Sequence, residues 1–359
     1  MGIFSDISES RIFKNEEVLS TEYIPDILPH REDEIKQIAR NILPLSKGRK
    51  AQNTFIYGPP GIGKTSVIKN VFEEFEKYSD QVRCVYINCW DYRTPTALLT
   101  QIIIELGQFV QRRGWSRDEI IQKLTETLKK RAKGLVVCLD EVDQLEMSAL
   151  YDLLRIGQYV DTPVGIVLIS NDQFVFSNAE PRIRSSLGKE DIEFKSYSHV
   201  EMKDILEERA KNAFHSYDSV IITLCANHAV KKRGDVRIGL QCLLKAGRMA
   251  EEQGAKRVEV EQMKAVIKAV GEVKADILKD KLNNHEKLLL EALSDGKKYT
   301  SGELYNRYNE IVKDRFGEKH SIEPVTDRSL RDFVNHLNDV GLIEMSEKKV
   351  GKSRLIWIK

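Results

Sequence analysis

The stretch Gly58-Pro-Pro-Gly-Ile-Gly-Lys-Thr65 matches the phosphate-binding pattern G-x-x-x-x-G-K-[ST] in full. An apolar run, TFIY (54–57), precedes it, and a segment with helical periodicity begins directly after it. In this setting the glycines let backbone N–H groups surround phosphate oxygens, and the helix N-terminus adds partial positive charge. The stretch therefore predicts a nucleotide site rather than an ordinary Gly/Pro turn.

The predicted ligands of this site are ATP or ADP together with Mg²⁺. Lys64 is expected to reach the β- and γ-phosphates, and the hydroxyl of Thr65 is expected to bind the metal ion. The predicted nucleotide-binding residues of the loop are Gly58, Pro59, Pro60, Gly61, Ile62, Gly63, Lys64, Thr65 and Ser66.

Polar side chains end two later apolar runs. LVVCLDE (135–141) ends in Asp140, which suits the Mg²⁺ shell, and Glu141, which suits a base that activates the attacking water. Such a pair also occurs as a helix N-cap, but a phosphate loop upstream favours the catalytic role. VGIVLIS (164–170) is followed by Asn171, which could bind the attacking water or the γ-phosphate; a turn-forming Asn is the alternative.

Short apolar runs alternate with helical patterns through the first half of the chain. The runs that predict buried strands lie at 54–57, 84–89, 135–141, 164–170 and 191–194. Their alternation with helices predicts a parallel sheet covered on both faces, whereas 199–276 predicts consecutive helices. The predicted domains are an α/β nucleotide-binding domain that contains the phosphate loop (1–196), a helical lid domain (197–280) and a winged-helix domain (281–359).

The winged helix is predicted from three helices at 284–294, 301–316 and 326–340, followed by two β-rich runs around the basic turn KKVGKS. In a helix-turn-helix the N-terminal part of the recognition helix meets base edges, and a basic wing suits phosphate or minor-groove contact. The predicted DNA-binding residues here are Arg328, Ser329, Arg331, Lys348, Lys349, Lys352 and Arg354. Winged helices also bind proteins, and that alternative stays open.

Composition is typical of a globular protein. Of 359 residues, 41% are hydrophobic and 31% are charged, and no apolar stretch approaches the length of a membrane span. The polar N-terminus lacks the apolar region of a signal peptide. The five cysteines lack metal-ligand spacing, and three of them lie in apolar runs, which indicates buried thiols in a reducing cytoplasm. We expect a cytoplasmic, nucleoid-associated protein with no membrane partner.

Together these motifs resemble the AAA+ ATPases, and among them the archaeal replication initiators related to the origin recognition complex and to cell-division-cycle protein six. Besides the phosphate loop and the winged helix, the resemblance is carried by YIPDILPHRE (23–32), LDEVD (139–143), ISND (169–172), EPRIRSSLG (180–188) and GDVR (234–237). It covers about residues 15–359. The loop alone is generic to NTPases, but the ordered set is specific.

The resemblance implies further residues around the nucleotide. The segment Tyr23–Arg31 corresponds to one that wraps the adenine, and Tyr197 and Arg209 correspond to lid residues that contact ATP. Arg237, in GDVR, corresponds to an arginine that reaches the γ-phosphate from the lid. One cation in that position couples the lid angle to the nucleotide state. A surface helix charge is the alternative for Arg237.

The resemblance also implies contacts beyond the chain's own ATP. Arg182, with Arg184 close by, corresponds to an arginine finger for a neighbouring subunit's ATP, and a local salt bridge is the alternative. The insertion at 92–117 corresponds to initiator-specific helices that touch DNA. There Arg112 and Arg113 would enter a minor groove or hold phosphate. A solvated helix end is the alternative for these two residues.

We therefore predict a replication initiator: a weak ATPase that binds double-stranded origin DNA and hydrolyses ATP slowly as a switch. Other initiator paralogues and the replicative helicase are its candidate partners. The main alternative is a signalling or regulatory P-loop ATPase whose winged helix binds protein, although such proteins usually lack the lid arginine. A ring-forming motor or helicase loader would need Arg182 to act in trans. A regulator with a degenerate ATP site is disfavoured, because Lys64, Thr65, Asp140 and Glu141 are all present.

Overall fold

Five parallel strands form the central sheet in a computed structural model that describes residues 11–110, 114–177, 179–269, 282–316, 325–339, 342–346 and 355–358. They are β1 (Thr54–Tyr57), β2 (Val82–Asn88), β3 (Gly134–Asp140), β4 (Val164–Ser170) and β5 (Glu190–Glu193). The order across the sheet is β2-β3-β4-β1-β5. β3 and β4 are buried along their whole length, which explains their uninterrupted apolar sequences. The predicted parallel sheet is confirmed.

Six α-helices accompany this sheet in the part of the chain that the structure describes. They are α1 (Glu32–Ile42), α2 (Lys64–Tyr78), α3 (Pro95–Glu105), α4 (Arg117–Arg131), α5 (Met147–Ile156) and α6 (Pro181–Leu187). Phe55, Leu139 and Leu168 lie in a buried apolar cluster that continues into the apolar faces of α3, α4 and α5. Among all helices that the structure describes, none has the length and apolar character to cross a bilayer.

The register of the sheet brings the predicted site residues together. β1 pairs with β4 so that Tyr57 lies beside Ser170, and β3, which ends at Asp140, pairs with the other side of β4. Because the strands are parallel, the phosphate loop after β1, the carboxylates after β3 and Asn171 after β4 emerge at one edge. Ligands of open α/β sheets bind at this edge.

Four consecutive helices follow the sheet, as predicted. They are α7 (His199–Ala213), α8 (Val220–Lys231), α9 (Val236–Glu252) and α10 (260–269). A capping box between Ser198 and Glu201 starts α7 directly after Tyr197. Asp235 caps α9 by accepting the N–H of Arg237. The sheet, α7, α8 and α9 belong to one compact unit, Met1–Val266, which ends within α10.

The second compact unit, Ile267–Lys359, contains the winged helix. Its elements are α11 (Asn284–Ala292), α12 (Ser301–Phe316), α13 (Asp327–Asp339), β6 (Tyr299–Thr300), β7 (Ile343–Met345) and β8 (Leu355–Ile358). Leu289, Tyr308 and Leu337 are fully buried between the helices. The predicted antiparallel pair β7–β8 is present. β6 pairs with β8 as a third strand, and it was not predicted because it has only two residues. The domain boundaries after 196 and 280 stay predictions.

Candidate nucleotide-binding site

A cavity of about 700 Å³ opens where β1, β3 and β4 end, a volume that suits a nucleotide. The predicted residues that line it are Pro60, Gly61, Gly63, Lys64, Thr65, Ser66, Asp140, Glu141, Asn171, Tyr197, Arg209 and Arg237. Gly58, Pro59 and Ile62 are not among the lining residues. The carbonyls of Gly58 and Pro59 accept hydrogen bonds from Lys64, and Ile62 is fully buried. These three residues thus support the loop from behind.

The phosphate loop is packed so tightly that glycine is required at two positions. Gly61 has a φ of +73°, and a Cβ there would lie 1.8 Å from Oδ1 of Asp235 in the lid. A Cβ at Gly58 would lie 2.2 Å from the carbonyl oxygen of Phe194, just after β5. A side chain at Gly58 would push the loop away from the backbone after β5, and a side chain at Gly61 would displace the Asp235 carboxylate from Arg237.

Lys64 is held by three acceptors around the loop. Its Nζ donates to the carbonyls of Gly58 (2.7 Å) and Pro59 (2.8 Å) and to Oδ1 of Asn171 (2.8 Å). Burial lowers the pKa of Lys64 to about 8, and the nearby Asp140 partly opposes that shift. The ammonium therefore stays mostly protonated at neutral pH, and Asn171 is joined to the loop through it.

Thr65 and Asp140, the predicted magnesium ligands, contact each other. The Thr65 hydroxyl donates to Oδ2 of Asp140 over 2.6 Å, and Asp140 is only 5% exposed. Mg²⁺ prefers oxygen ligands and commonly takes one or two carboxylates together with substrate phosphates and water. A hydroxyl and a carboxylate, fixed against each other beside a phosphate loop, fit that requirement.

Glu141 is held in an unusual state for a carboxylate. Its backbone has a left-handed φ of +55°, which is rare for a residue with a side chain. Its Oε2 is buried and has no hydrogen-bond partner among the described residues. Burial raises the pKa of Glu141, and the negative charges of Asp140 and Asp143 raise it further. An unpaired carboxylate with a raised pKa suits a general base.

Arg209 shapes the other end of the cavity. It is buried on α7 and donates to the carbonyls of Val18 (2.9 Å) and Tyr23 (3.4 Å). Its guanidinium also lies 4.9 Å from the centroid of the Tyr23 ring. Arg209 thus holds the start of the segment that was predicted to wrap the adenine. The residues of that segment that line the cavity are Tyr23, Ile24, Pro25, Leu28 and Pro29. A direct contact between Arg209 and ATP stays a prediction.

Arg31 has a role that sequence reasoning missed. Its Nη2 donates to the carbonyls of Ile62 (3.2 Å) and Lys195 (2.8 Å), and its guanidinium lies 4.0 Å from the centroid of the Tyr197 ring. Arg31 is 4% exposed, so it ties the phosphate loop to the residue that opens the lid. In the sequence, Arg31 was noted only as the last residue of the segment Tyr23–Arg31, with no predicted role of its own.

The lid meets the phosphate loop at the start of α9. The N–H of Val236 donates to the carbonyl of Gly61 over 3.0 Å. Arg237 lines the cavity, but its guanidinium is paired with Asp235 through Nε–Oδ1 (3.0 Å) and Nη2–Oδ2 (2.8 Å). A contact with the γ-phosphate therefore requires Arg237 to leave Asp235 or to share its donors.

Replacing Arg237 with Ala is expected to slow ATP hydrolysis by on the order of 10- to 100-fold, because a charged donor to the γ-phosphate would be lost. ATP affinity should fall less. Single-turnover hydrolysis at saturating ATP measures the effect. The control is Arg248→Ala, which removes a partly exposed arginine from the same helix. An Arg237→Ala rate equal to that of the control would make Arg237 a surface charge.

In the α/β domain, four arginines were noted at predicted contacts with a neighbouring subunit or DNA, and the structure describes two of them. Arg182 is exposed, pairs with Glu180 and lies 4.9 Å from the centroid of the Tyr151 ring. This ion pair is the local salt bridge that was the alternative role for Arg182. The action of Arg182 as an arginine finger on a neighbouring subunit's ATP stays a prediction. Arg184 is also exposed. Arg112 and Arg113 lie outside the described residues.

The winged helix presents part of its predicted DNA-binding set. Arg328 and Arg331 are exposed on α13, and Ser329 donates its N–H to the hydroxyl of Thr326 (3.3 Å), which caps the helix. The wing residues Lys348, Lys349, Lys352 and Arg354 lie outside the described residues.

Three family models match consecutive parts of the chain: an AAA domain (47–175), the Cdc6 AAA+ ATPase-type lid domain (203–268) and the CDC6 C-terminal winged helix domain (278–359). ORC1-type DNA replication protein 1 of Sulfurisphaera tokodaii is 37% identical, in an alignment that covers 95% of this chain and 88% of that protein. The chain belongs to the ORC1-type DNA replication proteins. The ORC1-type protein 1 of Archaeoglobus fulgidus is 33% identical over 99% of this chain and 90% of that protein.

Solved structures of ORC1-type and Cdc6 proteins have the same fold. The Aeropyrum pernix ORC1 protein, solved in complex with DNA, is 30% identical to this chain, and the two structures superpose with a TM-score of 0.68. The match covers 98% of this chain and 94% of the Aeropyrum pernix chain. Cdc6p from Pyrobaculum aerophilum is 28% identical with a TM-score of 0.67, covering 97% and 94%. The predicted family and fold class are confirmed, and this ORC1-type chain is of the AAA+ ATPase type.

Proposed function

We propose that this ORC1-type chain is an ATP-dependent initiator of DNA replication that binds duplex origin DNA and hydrolyses ATP slowly as a switch. The replication role follows from membership of the ORC1-type family, and the observation that carries the switch is the contact between the lid and the phosphate loop. Asp235 and Val236 touch Gly61, and Arg237 lies beside them at the cavity. A lid seated on the phosphate loop can respond to the nucleotide, as a switch must.

The residues of the site divide the work on bound ATP. Backbone N–H groups of the loop and the Lys64 ammonium hold phosphate oxygens, and Thr65 with Asp140 would hold Mg²⁺. The metal ion, when bound, neutralises charge that develops on the phosphates. Glu141 is the base that accepts a proton from the attacking water, because its pKa is raised and its Oε2 has no hydrogen-bond partner among the described residues. Arg237 binds the γ-phosphate from the lid, so the lid loses this contact when the γ-phosphate is released.

Slow turnover has a structural rationale in the present arrangement. Lys64 and Arg237 both carry hydrogen bonds to protein acceptors. Lys64 must exchange an acceptor, and Arg237 must leave Asp235 or share its donors, before either can stabilise charge on the γ-phosphate. Part of the binding energy of ATP is therefore used for this rearrangement. This supports a switch rather than a motor.

We propose duplex DNA as the principal partner. An ORC1 protein with 30% identity has been solved in complex with DNA, and Arg328 stands exposed on the N-terminal turn of α13. That turn is where a helix-turn-helix meets base edges. Initiator paralogues and the replicative helicase are further proposed partners, bound on DNA in the nucleoid.

The full-length variant Arg328→Ala/Arg331→Ala is expected to bind a preferred duplex on the order of 10- to 100-fold more weakly than wild type, since a good bidentate base contact contributes about 1–3 kcal/mol. A scrambled duplex should be affected less. The measurement is fluorescence anisotropy in ATP at several salt concentrations, on a site found by footprinting of genomic DNA.

Two further variants complete this experiment. Lys287→Ala removes an exposed charge from α11 and should bind both duplexes like wild type. Lys349→Ala/Arg354→Ala in the wing should weaken binding to all sequences and reduce the salt slope by about one unit per lost phosphate contact. If wild type and variants bind both duplexes equally weakly, the winged helix is a protein-binding module and the initiator proposal fails.

A further inference from the structure

Tyr86 on the edge strand β2 contacts the magnesium-binding carboxylate. In the pairing of β2 with β3, Asn88 lies beside Asp140, and Tyr86 is two residues earlier on the same face of β2. Its hydroxyl donates to Oδ2 of Asp140 over 2.7 Å. Tyr86 belongs to none of the motifs that predicted the nucleotide site, because the strand that carries it is separated from Asp140 by α3 and α4.

Hydrogen bonds to Asp140 leave its carboxylate little freedom. Oδ2 accepts from both Thr65 (2.6 Å) and Tyr86 (2.7 Å), and Oδ1 accepts from the N–H of Glu141 (2.8 Å). An ionised carboxylate has about four lone-pair sites. Oδ2 is therefore filled, and the remaining site is on Oδ1.

Tyr86 is itself held so that it acts as a donor. The Nζ of Lys69 on α2 lies 4.9 Å from the centroid of its ring. A phenolic hydroxyl that faces a carboxylate oxygen donates to it, and Oδ2 of Asp140 is the acceptor of the Tyr86 hydroxyl.

We propose that Tyr86 is a positioning residue for the metal ion of the nucleotide: its hydroxyl occupies Oδ2, so that Asp140 offers a single oxygen, Oδ1, to the ion or its water. This rests on the proposed nucleotide site. Mg²⁺ is small and needs near-ideal octahedral geometry, whereas Ca²⁺ accepts carboxylates that bind through both oxygens. A carboxylate that can use one oxygen favours Mg²⁺ over Ca²⁺.

The test is the variant Tyr86→Phe, assayed by binding of a fluorescent ADP analogue to the full chain. In EDTA its affinity should equal that of wild type, because the hydroxyl contacts Asp140 and Tyr86 is not among the residues that line the cavity. The Mg²⁺ concentration that gives half of the metal-dependent increase in affinity should rise on the order of tenfold, as for loss of an outer partner of a metal ligand. Replacing Mg²⁺ with Ca²⁺ should cost the variant less affinity than it costs wild type.

Tyr57→Phe is the matched control. It removes a tyrosine hydroxyl from the same edge of the sheet, at the end of β1, and keeps the Tyr86–Asp140 hydrogen bond. This control should follow the wild-type Mg²⁺ curve. A general loss of structure in Tyr86→Phe would instead lower its melting temperature and its affinity in EDTA. Tyr86→His, which retains an N–H donor on a smaller ring, should fall between Tyr86→Phe and wild type.

The outcomes separate the two proposals. If wild type fails to bind the analogue with or without Mg²⁺, the nucleotide site itself is wrong. If wild type shows a Mg²⁺ response and Tyr86→Phe has the same half-saturation and the same Ca²⁺ response, only the role of Tyr86 is overturned. A loss of affinity in EDTA equal to the loss in Mg²⁺ would show that Tyr86 supports the fold and not the ion.

Discussion

Replacing Glu141 with Gln is expected to reduce ATP hydrolysis by about 10²–10⁴-fold, the usual contribution of a general base. ATP binding should change little, because Gln keeps the shape of the side chain and loses only its charge. Glu141 lies at the cavity wall on a left-handed backbone, and no donor among the described residues pairs with its buried Oε2. The effect therefore belongs to the chemical step.

Single-turnover hydrolysis with ATP saturating is the measurement. The control is Glu146→Gln, which neutralises an exposed carboxylate five residues later and should hydrolyse ATP like wild type. Because burial raises the pKa of Glu141, the wild-type rate should fall with decreasing pH sooner than an ordinary glutamate predicts. A wild-type rate in Glu141→Gln would show that another group activates the water.

Replacing Lys64 with Ala is expected to weaken ATP and ADP binding by on the order of 100-fold, since charge-assisted hydrogen bonds to phosphate are lost. The fold should survive, because the lost partners are loop carbonyls and Asn171 at the cavity surface. Calorimetric titration of both nucleotides gives the affinities. Lys77→Ala, at the exposed end of the same helix, is the control.

The depressed pKa of Lys64 gives this prediction a second measurement. Phosphates favour the protonated ammonium, and the free protein loses that proton as pH rises through about 8. Wild-type nucleotide affinity should therefore fall above pH 8, by up to about tenfold per pH unit. Lys64→Arg, whose guanidinium does not titrate there, should lack this decline. Equal affinities in wild type and Lys64→Ala would refute the assignment of the loop.

The local sequence determined the architecture and the phosphate site. A strand before the loop and a helix after it, buried strands of Val, Ile and Leu, and helices with an apolar stripe are patterns that a few neighbouring residues produce. The parallel sheet and the three-helix unit with its β7–β8 hairpin were accordingly predicted with small shifts at their ends. The sequence also predicted that a set of polar residues would lie together, because strands of one parallel sheet end at the same edge. These residues are Lys64, Thr65, Asp140 and Asn171.

Only the tertiary structure decided which partners these side chains take. Arg31 donates to the carbonyl of Ile62, 31 residues away, and Tyr86 donates to Asp140, 54 residues away. Arg209 donates to the carbonyl of Val18, across 191 residues. Such pairs are chosen by the packing of whole elements, which brings distant donors and acceptors out of water together. Sequence periodicity predicts which face of a helix or strand is buried, but it does not predict which distant residue that face contacts.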